Sequence, residues 1–174
     1  MSSKKELDNL LIESSTPDQS KEDIQRYLDK KQAIYDALEA SAAPLERARL
    51  QLDVAEALIG MNRADESWEK ARTALGTFIE EEQWQDAVEC CDVLYQSAQP
   101  ASLVALAHGA WLSVTYPVDP TLTVNMMGYI VDETPATADG AAIAATTAHY
   151  IADIRAQGDQ HKSLTFLTQQ MLAN

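Results

Sequence analysis

The chain has 174 residues, 46% of them apolar, with 27 acidic against 13 basic side chains and a formal net charge of −14. That length suits a single domain with a sizeable core. The charge repels phosphate backbones and anionic membrane surfaces and favours basic patches on other proteins, so neither nucleic acid nor membrane is expected as a partner.

The charge is unevenly placed. Between Arg72 and Arg155 lie 82 residues without a lysine or arginine, and they hold eleven carboxylates, six of them within 73–92. Cys90 and Cys91 are adjacent and not expected to bridge, which suggests a reducing, cytoplasmic setting. The opening MSSKKELDNLLIESS lacks a basic segment followed by an apolar run, so no signal peptide is expected. The longest weakly polar run, 101–114, contains His108 and falls short of the roughly 18 apolar residues of a membrane span.

Residues 1–20 read as a flexible N-terminal tail ahead of one α-helical domain over 21–174. Ser14 to Ser20 form a polar, turn-rich linker. Leu7, Leu10 and Leu11 share one face of a turn or two of helix, a candidate docking peptide. A helix is expected over 21–40 from Ile24, Leu28, Tyr35 and Leu38, and Pro44 suits the first position of the next. That second helix, 44–61, carries two apolar stripes. Leu45, Ala48, Leu52, Ala55 and Ile59 form one, and Leu50, Val54, Leu58 and Met61 the other, so it should be sandwiched between neighbours. Trp68, Ala71, Leu75, Phe78 and Ile79 mark a third helix. Trp84, Ala87, Val88, Cys91, Leu94 and Tyr95 mark a fourth, with the solvated turn Glu80, Glu81, Glu82 between them.

Further helices are expected at 100–115, 120–131, 135–155 and 162–172, with Asp119-Pro120 and Thr134-Pro135 as their capping pairs. In the first of these, Leu103, Ala107, Ala110 and Trp111 read as the core stripe, as do the positions of Trp68 and Trp84. In 135–155 a face of alanines opposes Ile143, Tyr150, Ile151 and Ile154, which predicts a central helix covered on two sides. No sustained apolar–polar alternation appears, so the class is all-α: an antiparallel stack of about seven to eight helices.

Residues 48–81 resemble a tetratricopeptide repeat, a 34-residue helix–turn–helix unit. The small residue of its first helix falls on Ala55, between Val54 and Leu58. The turn falls at 62–65, and the small residues of its second helix fall on Ser67, Ala71 and Ala74. A degraded second register shows at Trp84, Ala87, Cys91, Leu94 and Pro100, with nothing matching beyond it. The resemblance covers about a fifth of the chain. It implies a curved stack whose concave groove binds a peptide or a partner protein, as in adaptors, chaperones and assembly factors.

Signs of catalysis are sparse. Cys91 lies on a core stripe, Cys90 at its edge, and Glu89 and Asp92 beside them disfavour a thiolate. His108 reads as a partly buried histidine bonded to a carbonyl. His149 and Asp153, four apart, are placed to touch on one helical face. There is no glycine-rich phosphate loop, nucleophile elbow, Glu-x-x-His pair or calcium loop. The expectation is a non-enzymatic cytoplasmic adaptor, chaperone or assembly factor with no cofactor or metal. Its partner protein would present a basic or apolar segment to Leu7, Leu10, Leu11, Glu80, Glu81, Glu82 and Trp84. The alternative is a small accessory subunit of a larger enzyme complex, with the apolar faces of 100–155 as its interface. A nucleic-acid mimic, and a metalloenzyme built on Cys90, His108 and His149, are weaker alternatives.

Overall fold

The computed structural model describes residues 17–38, 42–135 and 138–173, and among them it is helical throughout, without strands. Eight helices follow in order: α1 (Pro17–Ala37), α2 (Pro44–Gly60), α3 (Ala64–Glu80), α4 (Trp84–Gln96), α5 (Ser102–Thr115), α6 (Pro120–Glu133), α7 (Asp139–Arg155) and α8 (Gly158–Ala173). Each packs on the next, so the chain is an antiparallel stack.

The expected punctuation explains several boundaries. Pro44 opens α2, and Asp119 caps α6 by accepting from the Thr121 backbone N–H at 2.8 Å, with Pro120 at the first position. Three boundaries differ. Helix α1 begins at Pro17, inside the stretch read as linker, because proline tolerates a first turn as readily as it ends one. Helix α7 begins at Asp139 rather than 135: Thr134 returns its hydroxyl to Ile130 of α6, and the Pro135 carbonyl accepts from Ala138 in a tight turn. Helix α8 begins at Gly158 rather than 162, with Asp159 in its first turn favoured by the helix dipole.

Three turns share one device. Asn62, Glu82 and Ala98 each adopt a left-handed conformation (φ 57°, 54° and 51°) just past the ends of α2, α3 and α4. After α2 and α3 the next N–H reaches back over a turn, Arg63 to Leu58 and Gln83 to Phe78, and so satisfies a terminal carbonyl.

Helices α2, α4, α6 and α8 touch one another in succession as well as their chain neighbours. They form a continuous inner layer, and α1, α3, α5 and α7 form the outer one. The inner helices open at Pro44, Trp84, Pro120 and Gly158, which are 40, 36 and 38 residues apart. This uneven spacing explains why a 34-residue register fits one hairpin and then drifts. Even so, side-chain bonds join residues 34 apart between successive hairpins: Arg49 to Gln83, Gln99 to Asp65, and the Asp119 N–H to Gln85.

The sandwiching of α2 follows its two stripes. Ala48, Leu52 and Ala55 belong to the main core with α3 and α4, whereas Val54, Ala57 and Leu58 meet Ile24, Tyr27 and Leu28 of α1 in a second cluster. Small hydroxyl residues tie the two helices of a hairpin together: Ser67 donates to the Ala55 carbonyl at 2.8 Å and Ser102 to Leu94 at 2.8 Å.

The faces of α5 and α7 are the reverse of what residue size suggests. Helix α5 buries Ser102, Ala105, Leu106, Gly109, Ala110, Leu112 and Ser113 and turns Leu103, Ala107 and Trp111 outward. A ring of small residues lets α5 approach α4 so closely that a Cβ at Gly109 would stand 2.6 Å from Cys91 Cβ. Helix α7 likewise lays Ala144, Ala145, Ala148 and Ala152 inward with Ile151, leaving Ile143, Tyr150 and Ile154 exposed. It lies between α6 and α8. The expected cover over its second face does not exist among the described residues.

Candidate partner-binding face

Arg155, the cation that ends the cation-free stretch, fixes how α5 and α7 lie together. Its guanidinium donates to three carbonyls at the end of α5: Ser113 at 2.8 Å, Val114 at 2.6 Å and Tyr116 at 3.0 Å. Terminal helix carbonyls carry partial negative charge and lack intrahelical donors, so a planar, multi-donor cation suits them. Arg155→Lys, which keeps the charge but cannot span three acceptors, should therefore lower stability by about 1.5–3 kcal/mol. Denaturant unfolding of the two forms checks this.

With their ends bridged in this way, α5 and α7 both stand in the outer layer and each turns large apolar side chains to solvent. Leu103, Val104, Trp111, Ile143, Tyr150 and Ile154 are each between 55 and 71% exposed. Large apolar side chains exposed in such number mark candidate interaction sites. Helix α5 contains no Asp, Glu, Lys or Arg, whereas α7 exposes Asp153 beside Tyr150 and Ile154.

An aromatic ladder leads from this face to the acidic turn. Trp84, the first residue of α4, is half-buried and stacks on Tyr116 with ring centroids 3.8 Å apart and planes 8° apart. Trp111 meets Tyr116 edge-on at 6.1 Å, and His108 lies 6.3 Å from Trp111. Trp68 and Trp84 do pack against the core, but Trp111 does not. Glu80, Glu81 and Glu82 are all exposed directly before Trp84, so the structure brings the expected acids and Trp84 to one end of the ladder. Leu7, Leu10 and Leu11 lie outside the described residues.

The histidine–carboxylate pair is redistributed. His149 Nδ1 lies 2.9 Å from Thr168 Oγ1, and Asp153 lies 3.2 Å from His161 Nε2. Helix α8 runs alongside α7 and supplies nearer partners than the neighbouring turn does. Among the described residues, no three His, Cys, Asp or Glu side chains converge as a metal ion would require. None of the described helices is long and apolar enough to cross a membrane.

Both cysteines are fully buried, Cys90 included. Burial pushes the Cys90 thiol well up, aided by Cys91, Glu56, Asp86 and Glu89. Burial, then Asp92, pushes Cys91 up to about 12. Unfolded thiols ionise near their ordinary value of about 9, so above that pH the unfolded chain loses protons that the folded chain keeps. Stability is unaffected below pH ~9, and then falls by about 1.4 kcal/mol per pH unit for each thiol until the folded thiol ionises. Cys91→Ala should flatten this alkaline slope, as measured by urea unfolding between pH 9 and 11.

The sequence matches no known protein family, no curated protein and no solved structure.

What the sequence reading missed is that Leu103, Val104, Ile143, Tyr150 and Ile154 stand exposed on the outer helices, that Tyr116 stacks on Trp84 and that Arg155 bridges the ends of α5 and α7. A signal was available: α5 is apolar all round, and its small residues recur at 102, 105, 109 and 113.

Proposed function

We propose that this protein is a non-enzymatic binding protein, an adaptor, chaperone or assembly factor. It docks a partner protein through the outer face of α5 and α7. The observation that carries this reading is the set of exposed large apolar side chains on α5 and α7, whose ends Arg155 bridges, with Trp111 and Tyr150 among them, residue types that dominate binding energy at interfaces. The occupant is a different protein rather than a second copy. A net charge of −14 opposes self-association, and a partner with an apolar ridge flanked by basic residues would meet both the face and Glu80, Glu81 and Glu82. Inner helices that touch, outer helices that do not, and bonds between residues 34 apart support a divergent tetratricopeptide-like array.

The alternative, an accessory subunit of an enzyme complex, uses the same face as a permanent interface. Sedimentation of the isolated chain separates the readings: a soluble monomer is expected of the adaptor, precipitation without a partner of the subunit, and a stable homodimer would overturn both. With the partner in hand, raising ionic strength should slow association at least tenfold while dissociation changes little. An association rate indifferent to salt would remove the role assigned to the acids.

A further inference from the structure

Where α4 ends and α5 begins, a cavity of about 410 Å³ opens against the end of α6, lined by Tyr95, Gln96, Gln99, Ser102, Leu103 and Glu133. Its polar side chains have their donors engaged. The Tyr95 hydroxyl donates to Glu133 at 2.8 Å, Gln96 to Asp92 at 2.7 Å, Gln99 to Asp65 at 2.7 Å, and the Ser102 hydroxyl to the Leu94 carbonyl at 2.8 Å. Carboxylates only accept, so Asp92 and Asp65 fix the two glutamine amides and leave each with its carbonyl oxygen to accept. Glu133 is itself an acceptor and is exposed. The cavity therefore presents acceptors to a ligand.

Its electrostatics have the matching sign. Gln96 and Glu133 are the last residues of α4 and α6, so two helix C-termini with their partial negative charge meet here. The start of α5 borders the cavity too, but its Ser102 and Val104 N–H groups are taken by the Gln99 and Ala101 carbonyls. Helices α4, α5 and α6 contain no lysine or arginine. Tyr95 registers the field: its hydroxyl is pushed up to about 12, by burial first, then by its bond to Glu133 and the charges of Glu133 and Asp132. A cation with several donors suits such a place. Among the described residues one carboxylate lines the cavity, too few for a calcium-like ion. A guanidinium brings five donors in one plane, is weakly hydrated and stacks on aromatic rings such as that of Tyr95.

Leu103 joins the cavity to the outer layer, because it lines the one and stands 57% exposed beside Val104 in the other. We propose that the cavity receives an arginine side chain of the partner protein. The guanidinium donates to Glu133 and to the side-chain carbonyls of Gln96 and Gln99, while apolar residues next to that arginine pack on Leu103. This rests on the reading of α5 and α7 as the docking surface.

Titration of Nα-acetylarginine N-methylamide into the isolated chain, followed by amide NMR, tests the cavity without a partner. The probe should shift the signals of Gln96, Ala98, Gln99 and Leu103 and saturate on the order of 10 mM. The citrulline analogue, equal in shape but uncharged, should shift them far less at matched chloride. Equal shifts from the two compounds, or shifts spread over the surface without saturation, would overturn the proposal. Glu133→Gln keeps an acceptor for Tyr95 and should weaken the probe at least about fivefold. Unchanged affinity would contradict the assignment. Because this titration contains no partner, its outcome is separate from that of the Trp111 and Tyr150 variants, which test the docking surface. In the complex Glu133→Gln should likewise weaken binding about five- to tenfold, and an unaffected complex would remove the arginine from the cavity.

Discussion

Trp111→Asp combined with Tyr150→Asp is expected to weaken partner binding at least about 100-fold, roughly 2.7 kcal/mol or more. The fold should remain intact. The two side chains stand on different outer helices, α5 and α7, and each is more than half exposed, so neither holds much of the core. In a complex they would be desolvated, and a carboxylate placed in an apolar interface has no partner to offset its lost hydration. The double variant should therefore melt close to the wild type, shifted by the modest edge contact of Trp111 with Tyr116. Glu66→Lys/Glu69→Lys, on the exposed surface of α3, serves as the control and should change affinity only a few-fold. Calorimetry or surface resonance on all three proteins makes the comparison. Equal affinity of the double variant and the wild type would remove the face from the account.

The second large effect is on stability. Gly109→Val should cost about 3 kcal/mol, because the new Cβ would stand 2.6 Å from Cys91 Cβ and 3.0 Å from Met126 Sδ. The methionine can swing away; Cys91 Cβ is fixed to the α4 backbone. Relief requires α5 to move off α4, which opens the core around Leu94, Leu106 and Met126. Even Gly109→Ala, which gains about 1 kcal/mol of helix propensity, should come out destabilised. Thermal unfolding should show the valine form melting about 6–12 °C lower. Gly76, whose added Cβ would meet nothing, is the matched control, where alanine should stabilise.

The α5–α4 contact also shows where sequence reading ends. For α2 the two stripes name both neighbours correctly, because polar residues between them leave one way to bury each stripe. Helix α5 has no such constraint: it is apolar around its circumference, so periodicity alone cannot choose the buried face. Close approach decides it, through Ser102, Ala105, Gly109 and Ser113, and the larger Leu103 and Trp111 turn out to solvent. In α7 the alanine face was legible as the packing face, but whether anything covers Ile143, Tyr150 and Ile154 depends on tertiary arrangement. His149 and Asp153 teach the same lesson for polar groups. Spacing puts them on one face, yet α8 brings Thr168 and His161 to them instead. The ladder from Trp84 to Trp111 depends on Tyr116, which sits past the end of α5 and belongs to no stripe.

These reversals give the cation-free stretch a physical reading. Its acids cluster at 80–92, on the turn before Trp84 and along α4, while α5 carries no Asp, Glu, Lys or Arg and packs through small residues. Arg155 closes the stretch by bridging the end of α7 to the carbonyls at the end of α5.

Hydrogen exchange on the free protein and on its complex tests the central claim most directly. The account predicts that binding slows exchange in peptides covering 103–111 and 143–154, with α3 unchanged. Protection confined to the inner helices α2 and α4, with 103–111 and 143–154 exchanging as in the free protein, would contradict it.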